Sequence, residues 1–133
     1  DMTKYLAFQL AAYPPRAEDD RGPVSRATLR EMHTAGYPLE LVATVRDGKT
    51  RANAGGVGHA WHSDATCAFT RLVWHNGAID GFQSTLTFAP DRGFGLIVLT
   101  SSGDTEIGDL ERVLLDDGKI ELEVIRSTPA GLD

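Results

Sequence analysis

The sequence predicts an α+β fold, an antiparallel sheet flanked by helices, and three observations carry that prediction. Strand-like patterns joined by tight turns crowd the stretch from Gly55 to Thr100. Segments with helical apolar spacing lie on either side of that stretch, near the start of the chain and again after Asp104. The length, 133 residues with 41% apolar side chains, gives room for one compact core.

Charge and composition then exclude several function classes. With 13 Lys plus Arg against 19 Asp plus Glu, the net charge of -6 disfavours an electrostatic grip on nucleic acid or an anionic membrane. No apolar run approaches the roughly 20 residues needed to span a bilayer, and the first residues carry no signal-peptide pattern, so the chain reads as soluble. Cys67 is the single cysteine, which excludes an intrachain disulfide and a Cys-pair zinc site and leaves the compartment open.

The elements follow in order. Asp1 is a good N-cap, and Met2, Tyr5, Leu6, Phe8 and Leu10 place apolar groups at helical spacings before Pro14-Pro15 ends the run. A structured segment at the first residue, without an initiator methionine or a leader, is the expectation for a chain whose upstream portion is missing. Arg16 to Gly22 forms a charged linker, and Ser25 caps a second short helix carrying Leu29 and Met32. Ala35 to Gly58, rich in Gly, Asn, Asp and Lys, reads as a long irregular connection holding one short strand at Leu39 to Val45.

Strands take over from there. Gly55-Gly56-Val57-Gly58-His59-Ala60-Trp61 reads as a glycine-rich strand whose small residues admit close backbone approach. Phe69 to His75 alternates, with Phe69, Arg71, Val73 and His75 on one face. Phe82, Leu86 and Phe88 line one side of the next segment, and Pro90-Asp91-Arg92-Gly93 turns it into Phe94 to Thr100. The continuous run Gly95-Leu96-Ile97-Val98-Leu99 predicts a strand buried on both faces in the middle of the sheet. Asp104 or Thr105 caps a closing helix through Ile107, Leu110, Val113 and Leu114 that ends near Gly118. Residues 1-118 therefore form the domain portion, and residues 119-133 a tail, accessory strand or linker.

Several side chains are candidates for chemistry. His75, followed by Asn76-Gly77, sets a titratable imidazole at a strand end beside backbone that a ligand can approach closely; the plainer reading is a hairpin turn with an incidental polar residue. His59, His62, Cys67 and His75 match no zinc spacing, so no metal and no cofactor is expected. Ser84, Ser101 and Ser102 lack the Gly-x-Ser-x-Gly elbow that would expose a triad serine. Cys67 reads as a packed small hydrophobe, and Trp61, Trp74 and Phe82 as core aromatics rather than the wall of a cleft.

Taken together, the opening helix Asp1-Met2-Thr3-Lys4-Tyr5-Leu6, Pro23-Val24-Ser25, Gly56-Val57-Gly58-His59-Ala60-Trp61, His75-Asn76-Gly77 with Gly81-Phe82, and Phe88-Ala89-Pro90-Asp91-Arg92-Gly93 before Gly95-Leu96-Ile97-Val98-Leu99-Thr100 carry a resemblance. Over residues 1-114 the chain resembles the C-terminal part of the serine beta-lactamase-like hydrolases. That superfamily contains class C beta-lactamases, DD-carboxypeptidases, other penicillin-binding-protein-like enzymes, D-aminopeptidases and esterases. The resemblance implies the C-terminal portion of a beta-lactamase/transpeptidase-like fold and an acyl-enzyme reaction on an amide, lactam or ester.

Three motifs meet at the active site in that superfamily: Ser-x-x-Lys, Tyr-x-Asn or Ser-x-Asn, and Lys-Thr-Gly or His-x-Gly. Only the third is present, as His75-Asn76-Gly77; no serine here has Lys three places on, and Tyr5, Tyr13 and Tyr37 lack Asn or Ser two places on. The implied partner is the upstream portion of the same protein, or a second chain, carrying Ser-x-x-Lys. By the same resemblance the Ala78 N–H is an oxyanion donor and His75 takes the cationic triplet position. Asn76 would bind the polar end of a small-molecule or peptide substrate, and Gly77 would let it lie against the strand. The alternative is a noncatalytic binding or structural module that keeps such a fold.

Overall fold

A computed structural model of the chain describes residues 1–17, 20, 22–46, 48–103, 107 and 115. Helix α1, Met2–Leu10, and helix α2, Arg26–Met32, stand where the apolar spacing sets them. Ser25 caps α2 by accepting from the Thr28 N–H at 3.1 Å. Asp1 precedes α1 as expected, yet its carboxylate makes no cap bond and instead lies 3.6 Å from Lys4 Nζ.

Among the described residues six antiparallel strands follow in simple sequential order: β1 Tyr37–Arg46, β2 Lys49–Val57, β3 His62–Thr66, β4 Leu72–Ile79, β5 Phe82–Ala89 and β6 Phe94–Thr100. The architecture is thus broadly α+β. The stretch from Ala35 to Gly58 corrects the sequence reading, because it is a long hairpin of β1 and β2 rather than an irregular connection. Its signal in the sequence is the Asp47-Gly48 dipeptide, a pair favoured in hairpin turns, and Gly48 has φ 73°. Abundant Gly and Asn in β2 hides that alternation.

The glycine-rich segment is also shorter as a strand than its composition implies. β2 stops at Val57, and Gly58 to Trp61 forms a tight connection in which the Gly58 N–H donates to the Trp61 carbonyl at 2.8 Å. β3 was not legible, since His62-Ser63-Asp64-Ala65-Thr66 offers no apolar alternation. The next strand begins at Leu72 and runs on through Ile79, leaving Phe69 in the preceding turn. The hairpin of β5 and β6 stands as expected, with a 3-10 turn at Pro90–Arg92 and Gly93 at φ 64°.

Among the described residues β6 lies at the edge of the sheet, where a central position was expected. A continuous apolar run reports two covered faces, not two neighbouring strands. The expected burial on both faces is not met either: Ile97 packs partly against the cluster of Leu6, Trp61, Val73, Leu86 and Phe88 and Leu96 partly against that of Phe69, Leu72, Ala89 and Leu115, but every described β6 side chain keeps some exposure and Leu99 is 67% exposed. Of the predicted closing helix, Ile107 and Leu115 are described and both are helical and buried; Asp104, Thr105, Leu110, Val113, Leu114 and Gly118 lie outside the described residues, as does all of 119-133.

Close backbone approach, the reason for small residues, is real at Gly56 and Gly58. A Cβ at Gly56 would sit 2.7 Å from Ala35 Cβ, and one at Gly58 would collide with the carbonyl oxygens of Met32 and Thr34. The C-terminal end of α2 therefore rests directly on the end of β2. A second anchor is His33, fully buried after α2. Its Nε2–H donates to Gln9 Oε1 at 2.9 Å and its Nδ1 accepts from the Tyr13 hydroxyl at 3.1 Å. That pattern needs a neutral ring, and burial, aided by the Arg71 charge, lowers the His33 pKa to about 4.

Two outcomes follow. Gly58→Ala is expected to cost about 1–3 kcal/mol in urea unfolding, because backbone oxygens cannot yield as side chains do. The unfolded chain protonates His33 near pH 6.5 while the folded chain resists to about pH 4, so stability present at neutral pH falls across that interval as pH drops. The expected loss is roughly 3 kcal/mol in denaturation curves from pH 7 to pH 4, and His33→Gln flattens that part of the slope.

Candidate functional site

The His75-Asn76-Gly77 triplet sits inside β4, not at a strand end. Asn76 pairs with Thr85 and Gly77 with Ser84, and the turn comes only at Asp80-Gly81, with Gly81 at φ 78°. The sheet continues past the triplet because Ile79 and Phe82 close a two-residue hairpin.

That hairpin fixes where the backbone points. The residues flanking a two-residue turn form a hydrogen-bonded pair, so Ile79, Gly77 and His75 direct their N–H and C=O groups toward β5. By alternation, Trp74, Asn76 and Ala78 direct theirs the other way. On that side β3 pairs with Leu72, Val73 and Trp74 only, so among the described residues no strand meets Asn76 or Ala78. The Ala78 N–H therefore lies on an open strand edge next to a glycine.

The side chains divide between the two faces. His75 shares the helix-covered face with Val73, and its ring meets the Trp61 edge with centroids 6.3 Å apart at 80°. Tyr5 of α1 stacks on Trp61 at 6.3 Å, giving an aromatic line from the helix to His75. Asn76 falls on the opposite face with Leu72 and Trp74. His75, Asn76, Gly77 and Ala78 are all exposed. The four candidate residues are contiguous along one open edge, but His75 and Asn76 do not share a face.

A second polar constellation, not legible in the sequence, occupies the face opposite α1 and α2, the one on which the helical Leu115 packs against Leu72. The Trp74 indole Nε1–H donates to Asp64 Oδ2 at 2.9 Å, and His62 stacks on Trp74 with centroids 4.1 Å apart. Asn53 Nδ2 donates to Glu40 Oε1 at 2.7 Å. Burial raises the Asp64 pKa, against the lowering effect of the Trp74 donor, and the nearby Glu40 charge raises it further. These residues come from four strands, so only the register of the sheet brings them together. Beside them opens a cavity of about 510 Å³, with Leu72, Trp74 and Asn76 in its floor.

Two minor expectations are corrected here. Cys67 is exposed rather than packed, because it lies in the turn after β3. Phe82 is 56% exposed, being next to the Asp80-Gly81 turn, whereas Trp61 is core as expected. His62 and His75 lie on opposite faces, and among the described residues no group of three His, Cys, Asp or Glu is placed to hold a metal ion. No described helix is long and apolar enough to cross a membrane.

Comparison with protein-family models, curated proteins and solved structures finds no match to this chain.

The Asp64 carboxyl is expected to titrate above the ordinary aspartate range in a pH series of carboxyl carbon NMR shifts. Trp74→Phe removes the donor that favours its ionised form, so the midpoint moves further up.

Proposed function

We propose that this chain is part of a serine hydrolase that works through an acyl-enzyme on an amide, lactam or ester, in the manner of penicillin-binding-protein-like peptidases and esterases. The nucleophilic serine lies outside the chain, in the upstream portion of the protein or in a second chain carrying Ser-x-x-Lys. The open edge of β4 at Asn76 and Ala78 is the observation that carries this reading.

Acyl transfer develops negative charge on a carbonyl oxygen, and a fixed backbone N–H stabilises it without reorientation. Ala78 offers such a donor, held by a paired strand yet itself facing an unpaired side. An extended substrate can lie along the same edge and pair with the free groups of Asn76, as peptides do in strand addition. His75 stands one strand position before Asn76, exposed to the ligand side and backed by Trp61. There it orients substrate or moves a proton; Asn76 can reach a polar group from the other face of the strand.

The edge of β6 supports the partner. Phe94-Gly95-Leu96-Ile97-Val98-Leu99-Thr100 carries no charge and no proline, and among the described residues nothing pairs with its outer side. Apolar edges of this kind are ordinarily covered. A strand from the portion bearing the serine would extend the sheet there.

The protein joined to its upstream portion, or mixed with a chain carrying Ser-x-x-Lys, is expected to be acylated by a fluorescent penicillin or a fluorophosphonate at that serine, located by mass spectrometry. His75→Ala lowers the acylation rate about 10²-fold or more. Ala78→Pro, tolerable at an open edge, removes the donor and lowers it roughly 10²–10³-fold with the thermal melt retained. Absence of label in every combination favours a noncatalytic module, and unchanged turnover in His75→Ala removes the role given to that imidazole.

A further inference from the structure

Among the described residues His33 is the one ionisable side chain that is fully buried. The direction of each hydrogen bond around it is set from outside the ring. Arg71, whose guanidinium nitrogens only donate, faces the Tyr13 oxygen, so the Tyr13 hydroxyl turns its own proton to His33 Nδ1, 3.1 Å away. Nε2 then carries the single ring proton and donates it to Gln9 Oε1 at 2.9 Å.

A second proton, on Nδ1, would meet the Tyr13 proton head-on. It would also set an imidazolium out of water with the Arg71 charge acting on it. Gln9 and Tyr13 face this cluster from α1 and its end, Arg30 from α2, Arg71 from the segment before β4, and Asp91 from the 3-10 turn. Arg30 and Asp91 act on Tyr13, and Arg30 is held by the Ala12 carbonyl at 2.7 Å. Trp61 and Phe88 present ring edges. Among the described residues no carboxylate bonds the ring to offset a charge.

The protein has two apolar clusters, and the ring belongs to one. It lies against Trp61 and Phe88 in the cluster between the sheet and the layer of α1 and α2, whereas Phe69, Leu72, Ala89 and Leu115 pack separately. The strand ladders themselves are held by backbone bonds, which no proton at this ring touches. We infer that His33 is an acid-operated latch, whose protonation frees α1 and α2 from the sheet as one unit while the strands stay paired. Release of α1 lifts Tyr5 off Trp61, the ring that backs His75, so acid removes the aromatic support of the open β4 edge. The latch stands whether or not the chain is part of a hydrolase.

Amide hydrogen exchange read by NMR tests this with the chain as it is. From pH 7 to pH 4, protection of the Ala11 and His33 amides, which bond within the helical layer, is expected to fall about 10²-fold after correction for intrinsic exchange. Amides of the β4–β5 ladder, such as His75 and Leu86, lose far less. His33→Gln keeps one donor and one acceptor without a titrating ring, and its helices hold their protection. Arg71→Gln, at a half-buried position outside the packed ring, lets Tyr13 turn and accept the second proton, so the fall shrinks several-fold; this variant decides alone where His33→Gln does not fold. Parallel loss in helices and ladder, no loss in either, or the full loss in a folded variant overturns the inference.

Discussion

The His33 imidazole is the point on which the helical layer hangs. It follows α2, accepts from Tyr13 and donates to Gln9 of α1, and meets the Trp61 and Phe88 rings edge-on with centroids 5.5 and 5.0 Å away. A single neutral ring therefore joins both helices to the sheet, and its two nitrogens leave no room for a second proton. Beside it, Gly58 lets the end of α2 touch β2 at backbone distance. Gly95 instead makes room for a side chain of α1, since a Cβ there would sit 2.6 Å from Leu6 Cδ2. Side-chain burial and backbone proximity thus fix the same interface from two directions.

With α1 and α2 set on one face, β4 acquires its unusual position. It is paired with β5 from Val73 to Ile79 but only briefly with β3, because β3 begins at His62, opposite Trp74, once the Gly58 to Trp61 connection has been made. The triplet segment is consequently rigid on one side and open on the other. Rigidity comes from the ladder, and access from its early end.

Local chemistry was legible where one residue type decides the outcome. Ser25 as a cap, Pro14-Pro15 as a stop, and Pro90 to Gly93 as a turn all act through their own backbone requirements, and each appears where the sequence set it. Features that depend on partners distant in sequence were not. The β1–β2 hairpin was hidden by Gly55, Gly56 and Asn53, which answer to Glu40, Asp64 and Ala35 rather than to a strand pattern of their own. His75 and Gly77 were recognised as candidates, but their depth within a strand depended on the turn lying at Gly81 rather than at Gly77. The Asp64–Trp74 pair and the cavity beside it arise from sheet register alone, which no short window contains.

The two ends of the sheet are unlike. β1 is interrupted by an irregularity between Pro38 and Glu40, and it exposes that proline and that carboxylate, features that discourage further strands. Among the described residues the β6 end has no such deterrent. Growth of the described sheet is therefore one-sided: a strand added beside β6 finds a chargeless, proline-free ladder, whereas β1 stays a rim.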